Sequence, residues 1–316
     1  MTFSPTITRI IVSKKDKKFK YVFIKNNNEV TNEQILEYIT GLRIPPVWTN
    51  TKISVDPDSN IAVTGFDVAG RRQYIYTSKH NEIVRKKKYK NLIDLGNKIN
   101  AINRDLDKRL SSDKLTKDKI VALIVKIIMG CNFRIGTEKG TKKYKSTGIT
   151  TLKKEHITVQ QGHVTIKFIG KKGVLNTCHI PRRGDTLGIT NFIINVYEKT
   201  KYKDDFVFLF NNNRIDFLDI NNFLKKYGNI TSKSFRTWNA NVLLLQYIPY
   251  YFEEKSLAKR KKYLNMIIKQ IVAPALHHTV NICKKSYLLT ELQQLYINEP
   301  LKLKSIIEPN TDFLYK

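Results

Sequence analysis

Cysteine, acidic residues and long apolar runs are the scarce features of this chain of 316 residues. Its three cysteines, Cys131, Cys178 and Cys283, are scattered, odd in number and without metal-ligand spacing, which argues against a disulfide framework or a zinc site. We therefore expect three reduced thiols in an intracellular protein. No uninterrupted apolar stretch approaches the roughly 20 residues of a membrane span. The opening MTFSPTITRI lacks the layout of a secretory signal. No internal repeat is visible, so a solenoid or propeller is not expected.

Acidic residues are outnumbered two to one: 27 Asp+Glu face 56 Lys+Arg, for a formal charge of +29. Such an excess is self-repelling unless a polyanion neutralises it. Nucleic acid is the leading candidate and an anionic membrane surface the second. Apolar residues make up 41%, enough for real cores, and the length suits two domains better than one.

The first eighty or so residues read as strands. Ile7 to Val12, Phe19 to Ile24, Ile53 to Val55, Ile61 to Phe66 and Gln73 to Thr77 are short apolar or alternating runs. Thr31 and Gln34 suggest a capping box for a short helix ending near Gly41. A polar, strongly basic segment, His80 to Lys90, reads as a linker, so the boundary is placed near Arg85, giving domains 1–85 and 86–316. Beyond it helical periodicity takes over. Ile120 to Met129 is nearly all apolar and reads as a buried helix. Strands return from Ile157 to Ile180, with a hairpin tip at Gly170-Lys171-Lys172-Gly173, and helices fill the rest. The fold class expected is α+β, a small β-rich domain followed by a larger, mainly helical one with a β-hairpin.

The stretch that organises the chain is His277 to Tyr287. With Asn281 as N-cap, Ile282 to Ile297 reads as one amphipathic helix. At roughly 100° per residue Ile282, Leu288, Leu289, Leu292, Leu295 and Tyr296 share a face, and Tyr287 falls opposite it, beside Lys284. A protruding tyrosine near His278 and lysines suits a nucleophile aimed at a phosphate. An exposed tyrosine on an ordinary amphipathic helix is the plainer reading of this segment alone.

Other segments carry similar chemistry. Arg134, in Phe133-Arg134-Ile135-Gly136, follows the buried helix and suits a phosphate clamp, although most arginines at helix ends are simply solvated. Lys171 at a hairpin tip can reach into a groove while its strands stay anchored; a lysine-glycine turn kept polar for solubility looks the same. Arg236 lies in the first turn of a helix, where a cation works against the helix dipole unless an anion sits above it. In Gly70-Arg71-Arg72-Gln73-Tyr74-Ile75-Tyr76, Arg71 and Arg72 can bind phosphates and Gln73 can read a base edge. Tyr74 and Tyr76 share one strand face, opposite Ile75.

Taken in order, Arg134, Lys171, Arg236, His278 and Tyr287 decide more than any one of them does. The motifs GRRQYIY (70–76), FRIG (133–136), TGITTL (147–152), FIGK (168–171), FRTW (235–238), HHT (277–279) and KKSY (284–287) resemble those of the small type IB DNA topoisomerases of large DNA viruses and bacteria, the poxvirus type above all. The resemblance covers most of the chain. It implies a C-shaped clamp around double-stranded DNA, relaxing supercoils of either sign by transient cleavage of one strand. Tyr287 would form a 3′-phosphotyrosyl link, Arg134 and Arg236 would hold the non-bridging oxygens, His278 would donate to one of them, and Lys171 would protonate the leaving 5′ oxygen. Gln73, Tyr74, Tyr76, Lys233, Asn241 and Lys284 would meet DNA. Neither ATP nor a metal nor any other cofactor is implied, and the expected state is a monomer acting in a virion, a viral factory or a nucleoid.

Three departures bear on the DNA contacts. The tyrosine usual six residues after the first arginine is Gly140 here, leaving Tyr144 as the candidate to take its place. Ser234 stands for an acidic residue and Val280 for a proline. The runner-up is a tyrosine recombinase. Those enzymes carry HxxR at the second arginine, where this chain has Lys233-Ser234-Phe235-Arg236, and a helical amino domain, where residues 1–77 read as strands. A non-catalytic DNA-packaging protein would share the charge and need none of the five ordered residues.

Overall fold

A computed structural model of the chain describes residues 2–15 and 18–309. The fold class is α+β. The described residues divide into two compact units, 1–89 and 90–316.

The first unit is a six-stranded antiparallel sheet, order β3-β2-β1-β4-β5-β6, with one helix. Its strands are β1 (Ile7–Lys15), β2 (Lys18–Lys25), β3 (Asn28–Glu29), β4 (Thr49–Ile53), β5 (Ile61–Phe66) and β6 (Arg72–Tyr76), and its helix is α1 (Glu33–Gly41). Asn32, one residue after the expected capping residue, caps α1 by accepting from the Ile35 N–H. The core is small: Ile7, Ile53, Ala62 and Val63 against Ile39. Nη2 of buried Arg9 donates to the Pro45 and Trp48 carbonyls and the Thr51 hydroxyl.

The basic segment read as a linker is helical. It forms the start of α2 (Ser78–Leu110), whose Leu95, Ile102 and Leu106 are fully buried at helical spacing. Lysine and arginine are good helix formers, so charge alone does not make a segment a linker. Next come α3 (Lys117–Cys131) and α4 (Glu138–Tyr144). Thr116 caps α3 by accepting from the Lys119 N–H, and Asn132 closes it in the left-handed conformation. Ile120 through Val125 are all buried, as an apolar helix without a polar face requires.

A three-stranded antiparallel sheet, β7 (Ile157–Gln160), β8 (His163–Ile169) and β9 (Leu175–Pro181), carries Lys171 at the β8–β9 tip. Helix α5 (Ile189–Lys199), the small hairpin β10 (Leu209–Phe210) and β11 (Asn213–Arg214), and α6 (Phe217–Lys225) complete one core with α2 and α3. A second core is built from α7 (Ser232–Tyr247), α8 (Leu257–Ile267), α9 (Ala273–Ala275), α10 (Val280–Ile282), α11 (Thr290–Asn298) and α12 (Pro300–Ile307). Helix α7 belongs to both, with Phe235 in the first core and Ala240 and Leu244 in the second.

Two expectations about the last helices are corrected. Ile282 to Ile297 is not one helix, and the cap is Thr279, not Asn281. After α10 the chain makes a π-turn over Cys283–Tyr287, runs extended through Leu288 and Leu289, and restarts at Thr290. Tyr287 is accordingly buried, at 6% exposure, rather than protruding. The break lets Tyr287, which the unbroken helix would turn away from the apolar face, be buried along with Leu288.

The cysteine expectation is also overturned. Cys131 and Cys178 form a disulfide, with Cα atoms 5.6 Å apart, and only Cys283 is a free thiol. Sequence separation of 47 residues hid a pair that the sheet brings against the end of α3.

Candidate active site

Arg134, Lys171, Arg236, His278 and Tyr287 come from five different segments and line one cavity of about 660 Å³. Each segment has a local reason for its position. Arg134 follows the Asn132 cap, and two glycines fix its path. A methyl group on Gly148 would lie 2.4 Å from the Gly136 Cα and 2.8 Å from the Arg134 carbonyl, so only glycine allows the two backbones this close. The contact is sealed by the Ile149 N–H donating to the Arg134 carbonyl (2.9 Å) and the Thr150 N–H to that of Ile135 (2.9 Å). The glycines of FRIG and TGITTL thus form one device. Gly136 also needs its positive φ of 82°.

Arg236 is the fifth residue of α7, in its second turn rather than the first as expected, and is 2% exposed. Its Nη2 donates to the Leu276 carbonyl (2.7 Å), just before the two histidines. Its Nε and Nη1, together with Nη1 of Arg134, are buried with no hydrogen-bond partner. Burial lowers the affinity of both guanidinium groups for their protons, that of Arg236 to a pKa of about 10. Both remain cations at neutral pH. A buried cation with unpaired donors is costly unless an anion meets it.

His277 and His278 follow α9, and His277 takes the left-handed conformation (φ 53°). Nε2 of His277 lies 3.2 Å from the Cys131 carbonyl, and its ring packs against Phe133. Nε2 of His278 is bonded to Nη2 of Arg134 and lies 3.1 Å from Oη of Tyr287. Because a guanidinium only donates, that Nε2 accepts and the imidazole proton sits on Nδ1. Burial, then the charges of Arg134 and Arg236, push the His278 pKa down to about 3, so the ring is neutral.

Tyr287 ends the π-turn under two cations: the Arg236 guanidinium sits 5.2 Å and the Lys233 ammonium 5.9 Å from its ring centre. Buried Asn241, one turn after Arg236 on α7, holds the break in place. Its Nδ2 donates to the Tyr287 carbonyl (3.1 Å) and its Oδ1 accepts from the Leu289 N–H (2.9 Å). These are the two backbone groups that the kink exposes. Asn241 is expected at the DNA; in the structure its amide bonds the segment that carries Tyr287. Lys284, expected there too, bonds Asn265.

Lys171 is exposed at the tip of its hairpin, and Lys172 beside it lines the same cavity. Sequence reasoning singled out Lys171 and gave Lys172 no role, although nothing in a lysine pair says which way each points. It also gave no role to His277, Gly148 or the cysteines. The glycine of TGITTL was the one available signal, because a glycine amid β-branched residues marks close backbone approach.

The remaining candidates lie elsewhere in their units. On β6, Tyr74 stacks on Tyr76 (6.1 Å) and Tyr76 on His80 (4.7 Å), while Ile75 packs into the core. Arg72 lies over the Tyr74 ring, and Asp67 binds both Arg71 and Gln73. Tyr144 is 62% exposed at the end of α4. Gly140 lies one turn earlier on the same helix, close to the face of Tyr144. Among the described residues no group of three or more His, Cys, Asp or Glu is placed to hold a metal ion. None of their helices is long and apolar enough to cross a membrane.

Comparison with known proteins is decisive at this point. The family described as eukaryotic DNA topoisomerase I, catalytic core, matches residues 77–302, and the bacterial DNA topoisomerase IB N-terminal domain matches residues 18–67. The chain belongs to the type IB DNA topoisomerase family. Among its relatives, DNA topoisomerase 1B of Acanthamoeba polyphaga mimivirus is 30% identical over 296 residues, covering 90% of this chain and 86% of that protein. DNA topoisomerase 1B of vaccinia virus (strain Copenhagen) is 26% identical over 286 residues, 87% of each chain. DNA topoisomerase 1 of rabbit fibroma virus is 24% identical over 261 residues, 80% of this chain and 78% of that one. Topoisomerase family membership settles the choice against the recombinase and packaging readings, and it implies a DNA substrate.

Proposed function

We propose that this topoisomerase relaxes both negative and positive supercoils through a covalent intermediate on Tyr287, using neither ATP nor a metal. The observation that carries the reading is the set of orphaned guanidinium donors, Nη1 of Arg134 and Nε and Nη1 of Arg236, on two arginines that line one cavity with Tyr287.

Oη of Tyr287 loses its proton to water and attacks phosphorus, the P–O5′ bond breaks, and a 3′-phosphotyrosyl ester replaces the phosphodiester. Arg134 and Arg236 bind the non-bridging oxygens, where charge grows in the transition state. Phosphate binding draws Nη2 of Arg134 off Nε2 of His278, freeing that nitrogen to take up a proton and donate it in a hydrogen bond to the same oxygens. Lys171 gives a proton to the departing 5′ oxygen, since an alkoxide is a poor leaving group. The 5′ hydroxyl then rotates with its strand and attacks the phosphotyrosine, and every proton returns. One ester is exchanged for another, so no external energy source is required.

The β6 surface of Arg71, Arg72, Gln73, Tyr74 and Tyr76, with Tyr144 and Lys233, supplies DNA contacts under the same reading. The protein acts as a monomer, because one chain carries all five groups, and in a viral or host compartment that holds DNA. The test is to mix labelled duplex DNA with the protein, denature in detergent and digest with trypsin. A nucleotide adduct on the peptide containing Tyr287 is expected. An adduct on another tyrosine, or none over a range of salt, overturns the assignment.

A further inference from the structure

We propose that the Cys131–Cys178 disulfide positions the leaving-group lysine, making strand cleavage sensitive to thiol reductants; this rests on the proposed role of Lys171. Cys131 ends α3 three residues before Arg134, and its carbonyl faces Nε2 of His277, the neighbour of His278. Cys178 lies on β9, opposite Ile166 of β8, in the stem of the hairpin that carries Lys171. One covalent bond therefore ties the lysine's hairpin to the segment that sets both Arg134 and the histidines.

The strand runs about 13 Å, at about 3.3 Å per residue, from Cys178 to Val174 at the base of the tip, so a small pivot at the stem is carried to Lys171. Besides this bond, the Thr147 N–H donates to the Ile169 carbonyl (2.9 Å) at the end of β8, Phe168 lies edge-on to Phe133 (4.8 Å), and the side chains of Val164 and Ile166 are buried in the core. Reduction consequently leaves the hairpin folded and loosens its aim. A dithiol breaks the S–S bond, delivers two electrons and a proton to each sulfur, and leaves as its own disulfide. A displacement of about 1 Å at the reacting atoms costs up to about 100-fold in rate; with the apolar contacts kept, a loss of about tenfold is expected.

The experiment compares diamide-oxidised and phosphine-reduced protein in single-turnover cleavage of two duplexes. One carries an ordinary phosphodiester at the cleavage site and the other a 5′-bridging sulfur, whose thiolate leaves without a proton donor. Reduction should slow the first about tenfold, leave the second unchanged, and raise amide hydrogen exchange at residues 170–176. Re-oxidation should restore both, and Cys178→Ser should match reduced wild type under either condition. Equal slowing of both duplexes, no slowing, or unchanged exchange at the tip overturns the proposal. So does a thiol count of three in unfolded, diamide-treated protein, where one, Cys283, is expected. If oxidised protein cleaves neither duplex, the role of Tyr287 fails instead, and the thiol count and hydrogen exchange still decide the link.

Discussion

Arg236 is the residue whose surroundings are hardest to explain without an anion. It is 2% exposed, has two unpaired donors and lies over the Tyr287 ring. Lysine has no planar fork to reach the Leu276 carbonyl and a phosphate at once. Arg236→Lys should slow single-turnover cleavage by about 10²–10³, the usual cost of one transition-state donor, while DNA binding changes little. A gel-shift assay beside the cleavage assay checks both parts. His278 gives a pH signature. Its folded pKa of about 3 lies below the unfolded value of about 6.5, so as pH falls the unfolded chain takes the proton first. The stabilising contribution is complete above pH ~6.5 and is lost as pH drops towards ~3. NMR of the imidazole in the free protein should show a neutral ring at pH 5, and a duplex bound to the Tyr287→Phe variant should raise its pKa. A ring that titrates near 6.5 in the free protein would contradict this environment.

Elements, more than residues, separate what the sequence discloses from what it conceals. The five chemical groups stand in recognisable motifs, and strands such as Ile61–Phe66 and the buried helix α3 follow from periodicity and apolar run length. The break at Leu288 does not. Ile282 to Ile297 carries a good amphipathic pattern, and the kink exists because Asn241, 46 residues from Tyr287 in the chain, satisfies the backbone it exposes. The disulfide escapes for the same reason: it depends on which strand the sheet sets against α3. Both are tertiary facts, and local pattern has no access to them. Asn241→Ala should leave the Tyr287 carbonyl and the Leu289 N–H buried without partners, costing about 1–3 kcal/mol. Adduct formation should fall more than DNA binding does. Gly148→Ala should be worse for catalysis, because the added methyl meets the Gly136 backbone and the Arg134 carbonyl oxygen. A cleavage rate within twofold of wild type for Gly148→Ala would show that this glycine contact does not set Arg134.

For the whole molecule, charge sets the terms of DNA binding. With a formal charge of +29, affinity should fall linearly with log salt, each neutralised phosphate adding about −0.9 to the slope. Arg72→Ala, changing an exposed cation of β6, should reduce that slope by about one and weaken all duplexes alike. An effect on one DNA sequence only would make Arg72 a base reader instead of a phosphate contact.

Relaxation of supercoiled plasmid, in EDTA and without ATP, by wild type and by Tyr287→Phe bears most directly on the proposed chemistry. Wild type should relax positive and negative supercoils, and the variant, still binding DNA, should relax neither. A variant that relaxes as fast as wild type would place the nucleophile elsewhere and contradict the role assigned to Tyr287.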